Sequence, residues 1–375
     1  MRARGAADYQ AVLQGTRLPG LDGLRAIAVF TVMLGHFGSN APGDLGVSAF
    51  FVLSGFLITW LLLKEYDATG DISIRHFYLR RSLRIFPAYY AFLAFSIGLD
   101  LIRGDSRIRP VIVPALLYFV NYYNAFHGHP SNSVAHAWSL AVEEQFYLLW
   151  PLGFLLLARL GTRALVRGLL IAITIVLAWR CIAWYQLGFG TAYVYNVFET
   201  RFDNLAVGCL LAVLSRGGFM IRLAPRLASA GWLPLVTLGA LLISRLVAPS
   251  AYHYGPGFTV DAVLVAIFMV QVLQLATHPL WSWLEHPLMR YLGSISYPLY
   301  LYHQWGLGIG HKAAALPQSV QFVIGVLCSV LLASGSYFVI ERPFLKLKRR
   351  FHDPPRGSAP QASAGLASAQ DPANA

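Results

Sequence analysis

Apolar runs long enough to form helices recur along the whole chain, with short polar segments between them. They lie at residues 24–38, 46–63, 85–102, 110–124, 140–158, 168–187, 197–214, 230–247, 259–276, 291–310 and 320–340. A helix needs about 20 mostly apolar residues to cross the hydrocarbon core of a bilayer. The pattern therefore predicts an all-α polytopic membrane protein.

The run at 110–124 fits a membrane crossing least well, because it is short and contains Pro110 and Pro114. We expect it to form a short re-entrant or surface helix, which leaves about ten transmembrane helices around a central cavity. An even number agrees with the basic residues in both tails, since Lys and Arg favour the cytosolic side. The arginines of segment 103–109 would lie outside, against that rule.

The predicted organisation has three parts. Residues 1–20 form a cytosolic N-terminal tail, residues 21–345 an integral membrane domain, and residues 346–375 a basic and then disordered C-terminal tail. About twenty mostly polar residues precede the first apolar run, so this run does not match a cleaved signal peptide. We expect both termini in the cytoplasm and the protein in the cell inner (plasma) membrane.

Composition supports the membrane assignment and narrows the function. Of the 375 residues, 57% are hydrophobic and only 12% are charged, which is too apolar for a soluble protein of this size. The net charge of +12 comes from Lys and Arg at the ends of the runs, so we expect no nucleic-acid partner. The three cysteines lie far apart, which indicates neither a disulfide framework nor a metal site.

Two ionisable residues, Arg25 and His36, lie in the first apolar run. Eleven helical residues turn through about three full circles, so both side chains lie on one face, roughly 16 Å apart along the axis. Ionisable groups are costly in lipid and should face a protein interior or a cavity. An equally open interpretation is that Arg25 extends to the cytosolic interface and His36 caps the far end of the helix.

The basic residues Arg80, Arg81 and Arg84 follow the second run. Guanidinium groups bind phosphate oxygens bidentately and stay charged, so these residues are candidates for a phosphate site. A solvated basic face, or binding to anionic lipid head groups, explains the same pattern.

Acids and hydroxyls also interrupt the apolar runs. Glu143 and Glu144 follow Trp138 near the start of a span, where acids complement the helix dipole and Trp suits an aromatic belt. Ser48 and Ser54 lie in the second run beside Gly55, for which close helix packing is the favoured interpretation.

Three later positions carry both structural and functional interpretations. Arg201 and Asp203 form either a local ion pair or part of a site. His303, next to Tyr302 in an apolar run, is more simply a core histidine hydrogen-bonded to a neighbouring helix. The segment 341–343, Glu-Arg-Pro, is most simply a helix stop with an ion pair.

Six segments, in this order, resemble the acyltransferase-three family of membrane-bound acyltransferases. They are residues 21–36, 46–56, 81–87, 138–147, 296–303 and 341–343, and the resemblance covers roughly residues 18–348. It implies about ten membrane helices and an integral membrane acyltransferase domain over 21–345. It also implies a cytosolic acyl-CoA donor and a cell-surface carbohydrate or other hydroxylated acceptor. The donor is expected to be acetyl-CoA, because O-acetylation is the usual reaction of the family. Acyl-CoA is thus a co-substrate, and no permanently bound cofactor or metal is expected.

The resemblance also assigns residues. The family's arginine and histidine of the first helix match Arg25 and His36, and its two arginines after the second helix match Arg81 and Arg84. Many members have Asp where this chain has Ser48, so it stays open whether a carboxylate of this hairpin orients His36.

Acyl transfer to a hydroxyl needs a base and stabilisation of the oxyanion. The predicted catalytic residues are His36 as the base, Arg25 near the thioester, and Glu143 or Glu144 to orient His36 or position the acceptor. The predicted acyl-CoA-binding residues are Arg80, Arg81 and Arg84. The predicted acceptor or structural support residues are Trp138, which would stack on a sugar ring, Ser48, Ser54, Arg201, Asp203, Tyr302 and His303.

Other functions stay open at this stage. Direct transfer and a two-step route through an acyl-enzyme are equally compatible with these residues. A secondary transporter of a small polar solute would also place Arg, His and Glu inside the membrane, although it often shows internal repeats. A non-enzymatic subunit of a polysaccharide export machine is the third class. Membrane lipid is a partner in each case.

Overall fold

The computed structural model describes residues 6–15, 17–38, 41–130 and 132–348 of the chain. These residues form α-helices joined by short 3-10 and π turns, and none of the described residues lies in a strand. The all-α class predicted from the sequence is therefore confirmed. The predicted disordered tail lies mostly at 349–375, outside the described residues.

The helices follow one another with few residues between them. In the first half they are α1 (Ala6–Gln14), α2 (Leu21–His36), α3 (Gly43–Thr69), α4 (Ile74–Ile102), α5 (Ile112–Leu116), α6 (Val120–His127), α7 (Trp138–Arg159) and α8 (Thr162–Tyr185). In the second half they are α9 (Thr191–Asn196), α10 (Phe202–Arg216), α11 (Gly218–Leu227), α12 (Leu233–Leu246), α13 (Ser250–Tyr252), α14 (Phe258–Leu275), α15 (Pro287–Ser294), α16 (Ser296–His311), α17 (Gln318–Ser336) and α18 (Arg342–Lys348).

Tighter or wider turns connect several of them. The 3-10 turns are Ser106–Val111, Ala135–Ala137, Phe198–Thr200 and Ser282–Glu285, and the π turns are His253–Gly257 and Tyr337–Glu341.

Six helical segments of the described chain are long and apolar enough to cross a membrane, or seven if a bent pair counts as one span. They are Gly43–Thr69, Ile74–Ile102, Ala135–Arg159, Thr162–Tyr185, Ser250–Leu275 and Gln318–Leu347. The bent pair is α10 and α11, which meet at 107°. The protein is thus a multi-pass membrane protein, as predicted.

The predicted count of about ten is not supported by these lengths. Four of the apolar runs fold into helices of only 16, 15, 14 and 16 residues, namely α2, α10, α12 and α16. These helices fall short of the roughly 20 residues that span a bilayer core. Each of α10, α12 and α16 begins after the start of its apolar run, because the first residues of the run lie in the preceding turn or helix.

The segment 110–124 forms no long helix, in agreement with the expectation that it does not cross the membrane. It is divided among a 3-10 turn, α5 and α6. Gln145 on α7 fixes this segment by donating to the carbonyl oxygen of Tyr118 at 2.9 Å and to Oδ1 of Asn121 at 3.0 Å. The polar residue inside the apolar run of α7 therefore has a structural partner.

Both ends of the membrane domain are more helical than the predicted N-terminal tail and the predicted helix stop at 341–343. The N-terminal segment contains α1, whose buried Tyr9 hydroxyl is 2.9 Å from the hydroxyl of Ser215. At the other end, Glu341 and Arg342 do not stop the last helix, which continues through a π turn into α18. The predicted helix stop at 341–343 is wrong, because Pro343 follows a π turn inside a helical segment that runs from Gln318 to Leu347.

Small residues bring α2 and α10 against α3. A Cβ atom on Gly46 would collide with the carbonyl oxygen of Ala28, and one on Gly55 with that of Leu205. The prediction that Gly55 serves close helix packing is confirmed. These contacts fix α2, which carries Arg25 and His36, at the centre of the bundle.

Candidate functional site

Two cavities lie near the two ends of α2. The arginine cavity, of about 210 Å³, takes its name from Arg25, Arg81 and Arg84 in its lining. The histidine cavity, of about 560 Å³, is lined by His36 and His136. The two ionisable residues of α2 thus line different cavities, as the interpretation that they face a cavity predicts.

Five helices, α2, α3, α4, α7 and α16, contribute to the arginine cavity. Arg25 comes from the second turn of α2, and Arg81 and Arg84 come from one face of α4, since they are three residues apart. Glu143 and Glu144 line the cavity from α7. The structure therefore brings together two of the three arginines predicted for the acyl-CoA site and three of the four residues predicted for catalysis.

Hydrogen bonds hold one of the two acids in place. The Ser54 hydroxyl donates to Oε1 of Glu143 at 2.7 Å, and the Tyr147 hydroxyl donates to Ser54 Oγ at 3.1 Å. Ser54, predicted as acceptor or structural support, is thus a support for Glu143. Three guanidinium groups facing two carboxyl groups give the cavity the cationic lining that an anionic ligand requires.

Arg80 is absent from the lining of the arginine cavity. Its Nη2 lies 2.8 Å from Oε2 of Glu65, near the end of α3, and Oε1 of Glu65 accepts the backbone N–H of Ser73 at 2.7 Å. Arg80 therefore ties the start of α4 to the end of α3. The structure does not bring it into the acyl-CoA site predicted for it, because the helix turns its side chain about 100° away from Arg81.

His36, at the end of α2, faces two partners. Its Nδ1 lies 3.0 Å from the carbonyl oxygen of Val32 and 3.4 Å from Nε2 of His303 on α16, and the two rings meet edge to face with centroids 4.9 Å apart. Nδ1 of His303 lies 2.6 Å from the carbonyl oxygen of Tyr300. The interpretation of His303 as a core histidine bonded to a neighbouring helix is confirmed, and the neighbour is His36.

One turn of chain separates the two cavities. His136 lines the histidine cavity, and Ser139, three residues later, lines the arginine cavity. The Ser139 and Tyr300 hydroxyl oxygens are 2.6 Å apart, and the Tyr300 hydroxyl donates to the backbone oxygen of His136 at 3.1 Å. Ser139 and Tyr300 therefore line the arginine cavity on the side toward the histidines.

Two titratable groups outside the spans also line the histidine cavity. Arg107 donates two hydrogen bonds to Asp105 and lowers the pKa of that carboxyl to about 2. Burial lowers the pKa of His129, whose Nε2 lies 3.1 Å from Oδ1 of Asn196. At neutral pH, Asp105 is therefore ionised and His129 is neutral.

Within the described part of the chain, no carboxylate contacts His36. Glu143 and Glu144 lie in the other cavity, so the hypothesis that either orients His36 is not supported. Asp44 is engaged elsewhere, with its Oδ2 3.1 Å from both Arg245 Nη1 and His253 Nε2. The side chain beside His36 is an imidazole, that of His303, and no pattern in the sequence favours it over an acid.

Arg201 and Asp203 do not form the local ion pair suggested by their spacing. Asp203 Oδ2 lies 2.9 Å from Arg180 Nη1, and both side chains are fully buried. Arg201 instead lies 3.8 Å above the ring of Phe258 and donates to Ser48 Oγ at 3.1 Å. Neither lines the two cavities, because the start of α10 faces α3, α8 and α14.

Trp138 and Tyr302 pack inside the protein. Trp138 is 3% exposed, with its ring centroid 4.7 Å from that of Tyr195. Tyr302 is 6% exposed and packs edge to face against Phe92. These contacts favour structural support over stacking on a sugar ring.

Sequence reasoning missed several residues of the two cavities. Ser139 and Tyr300 were within segments that resembled the family, and their spacing from His136 and His303 by one turn is a usable signal. Trp305 and the loop residues of the histidine cavity gave no such signal, because their proximity depends on how the helices pack.

Comparison with known proteins agrees with this architecture. A family model described as an acyltransferase domain matches residues 18–338. The chain belongs to this acyltransferase family. The resemblance inferred from six short segments is therefore confirmed.

Its relatives are bacterial proteins named for O-acetylation. OatA of Staphylococcus aureus, named an O-acetyltransferase, is 30% identical over 358 residues, covering 88% of this chain and 57% of OatA. YrhL of Bacillus subtilis, provisionally named a peptidoglycan O-acetyltransferase, is 32% identical over 356 residues, covering 87% of this chain and 54% of YrhL. The chain thus spans little more than half the length of these relatives. No solved structure matches it.

Proposed function

We propose that this protein is an integral membrane O-acyltransferase that moves an acetyl group from acetyl-CoA to a hydroxyl of a cell-envelope carbohydrate. The observation that carries the proposal is the pair of cavities separated by the turn from His136 to Ser139. One cavity suits an anionic donor and the other presents a candidate base. The names of the relatives support acetyl as the acyl group and a peptidoglycan sugar as one acceptor.

The donor side of the proposal rests on the arginine cavity. Arg81 and Arg84 would bind the phosphates of CoA through charge-assisted hydrogen bonds, and Arg25 would steady the thioester region deeper in the cavity. The basic residues near both tails favour the cytosol for this end, so CoA would enter from the cytoplasm of a cell whose inner membrane holds the protein.

His36 is the proposed base. The carbonyl oxygen of Val32 only accepts hydrogen bonds, so Nδ1 of His36, 3.0 Å away, carries the proton, and Nε2 is left with its lone pair. In the proposed direct route, Nε2 takes the hydroxyl proton as the acceptor oxygen bonds to the acyl carbon. The carbon–sulfur bond then breaks, and the CoA thiolate takes the proton from His36.

The acceptor side of the proposal rests on the histidine cavity. Nδ1 of His136 and Nδ2 of Asn132 are buried there and have no hydrogen-bond partner among the described residues. A free acceptor and a free donor suit a ligand with hydroxyl groups, and the ring of Trp305 in the same lining offers a flat apolar surface. A sugar combines both properties.

The first experiment is acetyl transfer by purified protein in lipid, with radiolabelled acetyl-CoA and a cell-envelope glycan extract. We expect His36→Ala to reduce transfer by about 100-fold or more, as loss of a general base does, while acetyl-CoA still binds. His311→Ala is the matched control, because His311 ends α16 and lines neither cavity. Full activity of His36→Ala would refute the proposed base.

A different result would indicate transport. If the protein neither binds acetyl-CoA nor transfers label to several extracts, but moves a labelled solute into proteoliposomes, it is a secondary transporter. The same reactions, quenched under conditions that preserve acyl-imidazole, distinguish direct transfer from an acyl-enzyme route.

A further inference from the structure

The contact between His303 and His36 is specific enough to define which nitrogen of each ring carries a proton. His303 is fully buried and lies on α16, while His36 ends α2. Two backbone carbonyl oxygens and one ring-to-ring contact surround the pair. Because a carbonyl oxygen accepts and never donates, each of these carbonyls identifies a protonated nitrogen.

The tautomer of His303 follows from its contact with Tyr300. Nδ1 of His303 lies 2.6 Å from the carbonyl oxygen of Tyr300, so Nδ1 bears the hydrogen. In the neutral ring, Nε2 then carries a lone pair, and this nitrogen lies 3.4 Å from Nδ1 of His36. His303 therefore offers His36 an acceptor.

His36 is complementary to that acceptor. Its Nδ1–H points between the carbonyl oxygen of Val32 and Nε2 of His303, at 3.0 and 3.4 Å. Both partners favour the same tautomer, in which Nε2 of His36 is free. If the proton moved to Nε2 of His36, the lone pairs of His36 Nδ1, His303 Nε2 and the Val32 carbonyl oxygen would face one another, which is costly in a buried site.

We propose that His303 is a positioning residue that holds His36 in the tautomer with a free Nε2 and accepts a stronger hydrogen bond from Nδ1–H once His36 is protonated. This inference rests on the proposed function of His36. In many catalytic histidines a carboxylate accepts the hydrogen bond from Nδ1–H and so sets the tautomer. Here the lone pair of neutral His303 would have this role. The surroundings of the pair are also imidazoles, because His136 and His129 lie close by. A neutral partner for His36 adds no charge to this cluster.

Three substitutions of His303 separate this role from simple packing. His303→Gln places an amide oxygen near the position of Nε2, whereas His303→Asn places it near Nδ1, and His303→Leu has no acceptor. We expect the Gln variant to keep kcat within a few-fold of the native value. The Asn and Leu variants should lose about 100-fold in kcat, the lower end of what a general base contributes.

The KM for acetyl-CoA provides the second readout. It should stay unchanged in all three variants, because the donor-binding arginines lie in the other cavity. Transfer is measured with radiolabelled acetyl-CoA and the glycan extract, on protein that elutes as a single species after solubilisation. A merely structural role predicts instead that Gln and Asn lower activity equally, or that kcat and KM change together.

The failure of this inference is distinguishable from failure of the proposed function. If His36→Ala abolishes transfer while His303→Leu retains full kcat, His36 is the base and His303 does not position it. Equal kcat in the Gln and Asn variants would overturn the inference as well. If His36→Ala is itself fully active, the proposed function of His36 fails first.

Discussion

Adjacent arginines at the start of α4 have different partners. Arg81 faces the arginine cavity, whereas Arg80 pairs with Glu65 at 2.8 Å and ties α4 to α3. Successive side chains on a helix point about 100° apart, so neighbours in sequence reach different surroundings. Substituting each arginine in turn therefore distinguishes an effect of the basic charge alone from an effect of its position in the cavity lining.

We expect Arg81→Gln to raise the KM for acetyl-CoA by about 10–100-fold, because a hydrogen bond between charged groups contributes about 1.5–3 kcal/mol. The change removes the charge of a side chain that lines the cavity and leaves a shorter, neutral polar side chain. The KM is obtained from initial rates of label transfer at varied acetyl-CoA.

The matched control is Arg80→Gln. It removes the same charge one residue away, outside the lining, and should leave the KM for acetyl-CoA within about two-fold. If the two variants raise KM equally, the whole basic surface attracts CoA and the cavity is not its specific binding site.

At the scale of elements, α3 and α10 cross at a pair of glycines. A Cβ atom on Gly208 would collide with the backbone oxygen of Val52, and one on Gly55 with that of Leu205. Because each glycine of one helix faces the backbone of the other, the two helices approach more closely than larger residues allow. This crossing holds in place Ser54, which donates to Glu143 in the arginine cavity.

We expect Gly208→Ala to destabilise the protein by about 1–3 kcal/mol, since the added methyl group forces the backbones apart. Gly239→Ala on α12 is the control, because nothing lies within 4 Å of the new Cβ and alanine favours a helix. Thermal denaturation in detergent, followed by the loss of the monodisperse species, compares the two. Equal melting temperatures would show that the crossing tolerates the methyl group.

At the scale of the whole molecule, the two cavities lie toward opposite ends of the bundle. Asp71 follows α3 at the end that holds the arginine cavity, and Ala314 follows α16, close to Lys312 of the histidine cavity. If donor and acceptor enter from opposite faces of the membrane, these two loops must be accessible from opposite sides.

The corresponding experiment uses single cysteines in a chain whose Cys181, Cys209 and Cys328 are replaced by alanine. We expect a membrane-impermeant maleimide to label Ala314→Cys in right-side-out vesicles and Asp71→Cys only in inside-out vesicles, because the basic tails favour the cytosol. Labelling after detergent solubilisation controls for reactivity. Labelling of both sites from one side would refute opposite entry.

Much of the fold and part of the site follow from local sequence. Apolar runs predicted the membrane helices, and the spacing of Arg81 and Arg84 predicted that they share a face. The lengths of the helices did not follow, because α10, α12 and α16 begin after their apolar runs do. The pair suggested for Arg201 and Asp203 failed for a related reason, since Arg180 on another helix binds Asp203 more directly.

Apolar periodicity and short ordered motifs are local properties of the chain, so they were enough to identify an all-α membrane protein of the acyltransferase family. The packing of the helices places Arg25 and His36 in different cavities and Glu143 away from His36, which no local pattern predicts. Packing also makes His303 the neighbour of His36, across 267 residues of chain. Such contacts depend on how helices pack, and packing is set by shape across the whole molecule.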